Sequence, residues 1–164
     1  MMGSGKTSVG RRLAARLAWR FADSDQEVEQ AAGLPVAELF AAEGETGFRT
    51  RERDTIASLL GGEPLVLATG GGAMAHAETQ AILLGRAVTV WLDAAPEVLA
   101  ARLAGVTDRP LLRNGDPAAI LARLAAERAT AYARAHLRLA TDGLTPDEVA
   151  DRLVKMIQAK GRAA

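Results

Sequence analysis

Cysteine is absent from the 164 residues. That absence excludes a disulfide scaffold, thiolate metal ligation and cysteine nucleophiles, and it is compatible with a reducing cytoplasm. Aromatic residues make up only 4% of the chain, and 20 basic residues balance 20 acidic ones to a formal net charge of zero. A surface built to stack bases and neutralise a phosphate backbone needs more of both, so no nucleic-acid partner is expected. No apolar run approaches the roughly 18 residues of a membrane span. The start, Met1-Met2-Gly3-Ser4-Gly5-Lys6, has no basic region followed by an apolar core, so a signal peptide is not expected either. What remains, 49% hydrophobic and 24% charged, is enough for one domain with a proper core, and wholesale disorder is excluded.

Helical and strand patterns alternate along the chain, the signature of an α/β fold. Val9, Leu13 and Leu17, with Arg11, Arg12 and Arg16 between them, make residues 6–19 an amphipathic helix. A short strand follows at 20–22, then short helices at 25–32 and 35–43, broken at Gly33-Leu34-Pro35, and a longer helix at 46–60. Leu65 to Ala68 reads as a buried strand, 77–84 as a helix, 87–92 as the strongest strand and 96–104 as a helix. Residues 105–116, rich in Gly, Asp, Arg and Pro, read as a loop. Helix 117–134, strand 137–140 and a closing helix from Thr145 to Lys160 complete the chain, with Thr145 as N-cap and Pro146 at the first helical position. Parallel strands with crossover helices imply a three-layer α/β/α sandwich that binds ligands at the carboxyl edge of its sheet.

Gly3-Ser4-Gly5-Lys6-Thr7 opens the first helix. Glycines let backbone wrap close to phosphate oxygens, and a helix N-terminus presents unpaired N–H groups and a positive dipole end. Lys6 would reach the β- and γ-phosphates and the Thr7 hydroxyl would coordinate Mg²⁺; the competing reading is a glycine-rich tail before a helix. The complete pattern, G-x-x-x-x-G-K-[S/T], places a further glycine before Met1. The strand that leads into such a loop, at the middle of the sheet, lies outside the 164 residues as well. Two neighbouring strands should then carry unpaired backbone edges. The expectation is a misassigned start codon and a longer natural protein, the alternative a compromised fragment.

Asp23 and Asp25 follow the first short strand, and along an extended segment that spacing points both carboxylates to one side. One can hold the Mg²⁺ hydration shell while the other draws a proton from a substrate hydroxyl. The competing reading is a helix capped by Ser24 or Asp25. Arg49, in Gly47-Phe48-Arg49, offers a planar fork to a carboxylate, with a surface ion pair between Glu52 and Arg49 or Arg53 as the alternative. Thr69-Gly70-Gly71-Gly72 exposes bare N–H groups at the end of a buried strand, where the alternative is a flexible turn. Arg109, in the loop Thr107 to Arg113, could fold over a triphosphate and exclude water, or belong to an exposed polar loop. Arg128 and Tyr132 share a helical face, where an arginine stem can simply pack on a tyrosine. His76 and His136 have no ligand-like spacing and read as structural or surface residues.

Together, Gly3-Ser4-Gly5-Lys6-Thr7, Asp23-Ser24-Asp25, Gly47-Phe48-Arg49 with Glu52, Thr69-Gly70-Gly71-Gly72, Asp108-Arg109-Pro110-Leu111-Leu112 and Arg128 with Tyr132 resemble the shikimate kinases over essentially the whole chain. The resemblance implies a single P-loop kinase domain, residues 1–164, of nucleoside-monophosphate-kinase-like fold. It implies a five-stranded parallel sheet, a lid at about 105–116 and a substrate-binding region at about 25–53. It implies transfer of the ATP γ-phosphoryl group to the 3-hydroxyl of shikimate with Mg²⁺, by a cytoplasmic monomer with no nucleic-acid or membrane partner. Carried over residue by residue, it assigns Gly3, Ser4, Gly5, Lys6, Thr7, Ser8, Arg102 and Arg109 to the nucleotide, Arg102 lying along the adenine. Thr7 and Asp23 go to the metal, and Lys6, Asp25 and Arg109 to catalysis. Asp25, Arg49, Gly71, Gly72 and Arg128 go to shikimate, with Glu52 orienting Arg49. Gluconate kinase, whose substrate is also an anionic polyol, and an inactive nucleotide-binding fragment are the alternatives.

Overall fold

The computed structural model describes residues 1–104 and 116–161. Gly5, in the left-handed region at φ 79°, starts α1 (Lys6–Leu17) without a side-chain cap. The helix ends at Ala18 in the same region, φ 54°, and the chain reverses into β1 (Arg20–Asp23). Gly10 lets the two elements close: a Cβ there would sit 2.6 Å from Cε2 of Phe21. Asp23 caps α2 (Ser24–Ala32) by accepting from the Asp25 N–H. The two helices expected at 35–43 and 46–60 are one run, α3 (Val36–Leu59), broken internally at Gly44, whose φ of 69° and ψ of −177° are not helical. β2 (Leu65–Ala68), a 3₁₀ turn at Ala73–Ala75, α4 (Ala77–Arg86), β3 (Val90–Asp93) and α5 (Pro96–Arg102) follow. After α6 (Pro117–Tyr132) and β4 (Leu137–Ala140), α7 (Pro146–Gly161) closes the described chain. Thr145 caps α7 as expected. Its hydroxyl accepts from the Glu148 N–H, and Glu148 returns a carboxylate to the Thr145 N–H at 2.8 Å, a reciprocal capping box.

β1 pairs with β2 in parallel from Arg20↔Leu65 to Asp23↔Ala68. β3 pairs with β4 in parallel from Val90↔Leu137 to Asp93↔Ala140. β3 is shorter at its start than the apolar pattern over 87–92 suggested, because its partner strand begins only at Leu137. Thr89, just before the ladder, accepts from the Leu137 N–H through its carbonyl and bonds the ring of His136 through its N–H and hydroxyl. Successive strand side chains leave on opposite faces, which creates the layers. Val66, Val90 and Leu92 join Val9, Leu13, Val149 and Leu153 on the α1–α7 side. On the other side, Leu67 packs with Ile56, Ala73 and Leu83, while Trp91 packs with Leu99, Leu121 and Tyr132. The result is the expected three-layer α/β/α arrangement. A satellite core of Val28, Leu39 and Phe48 holds α2 against the first half of α3.

The sheet differs from the five-stranded one that the resemblance implies. Its four described strands form two separate parallel pairs, β1–β2 and β3–β4. The inner edges of β2 and β3 line an apolar cavity of about 450 Å³, which Leu13, Met74 and Leu83 also line and which reaches Met1. The unpaired edges expected from the sequence are therefore those of β2 and β3. No helix among the described residues is long and apolar enough to cross a membrane.

Candidate active site

Both strand pairs end at the same edge of the molecule, and every described candidate residue lies there or on the helices that follow. The first turn of α1 supplies the nucleotide end. Gly3 and Gly5 both have positive φ, 72° and 79°, a conformation that costs glycine little and bends the backbone around an anion. At Gly3 space matters too, since a Cβ would meet the Leu99 carbonyl at 2.9 Å. The Ser4 hydroxyl and the Lys6 ammonium both donate to the Met1 carbonyl, at 2.9 and 2.7 Å, which folds the loop over the helix end. Gly3 through Ser8 then line a cleft of about 570 Å³ with Asp23, Asp25, Gly70, Gly71 and Arg102.

The acidic turn is built differently from the extended arrangement the spacing suggested. Helix α2 begins at Ser24, so Asp25 lies in a first helical turn and Asp23 alone terminates the strand. The cap is Asp23 rather than Ser24 or Asp25. One Asp23 oxygen caps the helix, and the other accepts from the Thr7 hydroxyl at 3.0 Å. The two candidate metal residues are therefore in contact. Asp25 is mostly buried, and its carboxyl is pushed up to about 6, first by that burial and then by Glu52 and Asp23, against the opposing pull of Lys6 and Arg49.

Arg49 does pair with Glu52, at 2.6 Å, but not on the surface: the Glu52 side chain is 0% exposed and that of Arg49 only 16%. Arg53 turns instead to Asp54 and Glu78. The second Glu52 oxygen has no hydrogen-bond partner among the described residues. Arg128 and Tyr132 come to Gly71. Tyr132 donates to the Gly71 carbonyl at 2.7 Å, and Arg128 Nη1 lies 3.0 Å from where a Gly71 Cβ would be. Burial raises the Tyr132 phenol above its ordinary range, so it stays a neutral donor. Arg102 is held at the cleft edge by the Thr141 carbonyl at 2.7 Å. Arg109 lies outside the described residues, as does the rest of 105–115.

The structure gives a place at the site to two residues that were not among the expected site residues. Ser24, fully buried, accepts from the Gly70 N–H at 3.2 Å and ties the end of β1 to the end of β2. Thr141, also buried, holds Arg102. The serine between two aspartates was the one available signal for the first; nothing in the sequence marked the second. His76 and His136 each bond a threonine hydroxyl, Thr79 and Thr89, in line with their structural reading.

Residues 2–158 match the family model described as shikimate kinase. The chain belongs to the shikimate kinase family. It is thus an ATP-dependent phosphotransferase acting on an alcohol group, of a family that serves aromatic amino-acid biosynthesis. Among its relatives is a shikimate kinase of Nitrobacter winogradskyi, 47% identical over 160 residues, which cover 98% of this chain and 75% of the relative. Among solved structures, shikimate kinase from Acinetobacter baumannii in complex with shikimate superposes with a TM-score of 0.90 at 37% identity, covering 97% of this chain and 89% of that one. A gluconokinase from Sinorhizobium meliloti superposes with a TM-score of 0.59 at 18% identity, a likeness of fold alone. The gluconate alternative is correspondingly disfavoured.

Proposed function

We propose that this chain transfers the γ-phosphoryl group of ATP to the 3-hydroxyl of shikimate, with the residues in the roles their positions support. The observation that carries the reading is the convergence of Arg49 and Arg128 on one glycine turn that also faces Asp25. Shikimate is a small anion bearing several hydroxyls. Two arginines can grip its carboxylate while Asp25 accepts from a hydroxyl on the other side. Membership of a family with a shikimate-bound structure supports the same substrate. Asp25 takes the hydroxyl proton as the oxygen bonds to the γ-phosphorus and the bond from that phosphorus to the bridging oxygen of ADP breaks. Its carboxyl at about 6 leaves it ionised at neutral pH yet basic enough to accept a proton.

Lys6 and the N–H groups at the start of α1 receive the phosphates of ATP, and Arg102 borders the adenine. The Thr7–Asp23 contact fits Mg²⁺, which takes a hydroxyl or a carboxylate alongside phosphates and water rather than an all-protein cage. When bound, the ion neutralises charge on the β- and γ-phosphates. Arg109 is assigned by resemblance to cover the phosphates and exclude water. In this reading the enzyme is a cytoplasmic monomer that needs no nucleic acid or membrane. ADP release measured with ATP and Mg²⁺, with shikimate beside gluconate, tests the assignment. Release with shikimate alone is expected, and release with gluconate alone would overturn it.

A further inference from the structure

The three consecutive glycines of 70–72 have a spatial role that their backbone does not explain. None has a positive φ, so an L-residue could adopt each conformation. What excludes a side chain is space, and each position faces a different charged group. A Cβ at Gly72 would collide with the Arg49 guanidinium, with Cζ at 2.7 Å. At Gly71 the nearest atom is Arg128 Nη1 at 3.0 Å. At Gly70 a Cβ would lie 2.8 Å from Asp25 Oδ1, 2.9 Å from Glu52 Oε1 and 3.3 Å from Asp25 Oδ2.

The carboxylates beside Gly70 cannot simply step back. Glu52 is fully buried and its other oxygen is locked to Arg49 at 2.6 Å. Asp25 is buried on the first turn of a helix whose cap, Asp23, holds the Asp25 N–H. Nor can the backbone of Gly70 retreat freely, because its N–H is tied to the buried Ser24 hydroxyl, the residue next to Asp25.

We propose that Gly70 is a positioning residue: its bare Cα sets where the Asp25 carboxylate stands, whereas Gly72 does the same for Arg49. This deepens the reading of Asp25 as proton acceptor and Arg49 as carboxylate clamp, and rests on it. Alanine substitutions at these two positions should therefore have different kinetic signatures. Gly70→Ala displaces the proton acceptor and meets no arginine directly, and lowers kcat by about 10- to 100-fold, as misplacement of a reacting group by around an ångström does. The KM for ATP should stay within about twofold, and that for shikimate should rise less than in Gly72→Ala, because Asp25 makes only one of the contacts to shikimate. Gly72→Ala displaces the clamp and raises the shikimate KM, leaving the ATP KM unchanged.

Steady-state kinetics on both variants test this, together with Glu52→Asp alone and in the Gly70→Ala background. The aspartate is one methylene shorter and makes room for the new methyl, so the double variant should recover part of the kcat that Gly70→Ala loses. A Gly70→Ala enzyme with wild-type kcat, one whose two KM values rise together, or a double variant with no recovery would overturn the proposal. If Gly70→Ala does not fold, the double variant against Glu52→Asp decides: equal kcat supports the spacing argument, and failure of both to fold makes the glycine a structural requirement and overturns it. Asp25→Asn separates this from the underlying assignment. Full turnover in that variant removes the proton-acceptor reading itself, whereas its loss beside a normal Gly70→Ala enzyme removes only the positioning role.

Discussion

At the residue scale the site carries a conflict between stability and chemistry, and Asp25 is where it is sharpest. Burial and two neighbouring carboxylates raise its pKa from 3.8 to about 6. The folded state therefore binds this proton more tightly than the unfolded chain, so the stability the group contributes is present below about pH 4 and is lost as pH rises through 6. Asp25→Asn removes that titration. The variant should melt at a higher temperature than the parent at pH 7, with the gap closing toward pH 4, while turnover is largely lost and ATP still binds. A lower melting temperature at pH 7 would show that the carboxylate is not destabilising there. The same group predicts an acid limb in kcat/KM centred near pH 6, because only the ionised form accepts a proton. A profile flat down to pH 5 would contradict it.

Arg49 makes the complementary case. Its guanidinium is held by the buried Glu52 and grazed by the more exposed Glu45 at 3.4 Å. Arg49→Ala should raise the KM for shikimate far more than that for ATP. It should also destabilise the protein by about 3–5 kcal/mol, because breaking a buried pair leaves a charge without compensation. Equal effects on both KM values would count against the clamp. That Arg49 and Glu52 pair was legible from their spacing on a helix; that the pair is internal was not, since periodicity over a polar stretch shows a shared face but not what covers it.

At the scale of elements, glycine decides which surfaces approach. Gly10 is on α1 where it meets Phe21 of β1, and this contact brings the start of α1 to the end of β1 and so Thr7 to Asp23. Gly10→Ala forces the ring aside in a packed interface and should cost about 1–3 kcal/mol, read as a fall in melting temperature. An unchanged melting temperature would mean the ring has room to move. The break at Gly44 shows the opposite use. It separates the segment of α3 that carries Leu39 from the one that carries Phe48 and Ile56, so Leu39 and Phe48 meet in the satellite core across the break while Ile56 enters the core with Leu83. The sequence pattern read two helices there, separating the segments, and it also placed the preceding break at Gly33-Leu34-Pro35, where Gly33 ends α2 in the left-handed region at φ 70°. Strand lengths were less legible, because a strand is as long as its partner allows: β3 starts at Val90, where Leu137 becomes available.

At the scale of the whole molecule, the two strand pairs face each other across an apolar cavity of about 450 Å³. Each of β2 and β3 has one edge in a ladder and one toward that cavity. Amide hydrogens of β2 and β3 that point along their ladders should exchange slowly, and those that point to the cavity much faster, in the alternating order that parallel pairing imposes. Uniform slow exchange along 65–68 and 90–93 would show both edges paired. In the proposed reading the catalytic edge lies above this seam, with nucleotide groups on α1 and α5, metal groups on α1 and β1, and shikimate groups on α2, α3, α6 and the glycine turn.

The sequence by itself determined the kind of enzyme and the α/β layering. A glycine-lysine-threonine turn before an amphipathic helix points to an anion at the helix start. Aspartates at 23 and 25 follow a strand, arginines at 49, 102, 109 and 128 recur among helices and loops, and alternation of apolar periods dictates α/β layers. Local patterns read these well because capping, periodicity and glycine geometry are properties of neighbouring residues. Tertiary structure alone decided which charges meet. It buried Glu52 and so turned a helix-surface pair into an internal one, and it set Ser24 under Gly70. It also stood charged side chains against every missing side chain of the glycine turn, because those contacts join different elements and depend on how the layers pack.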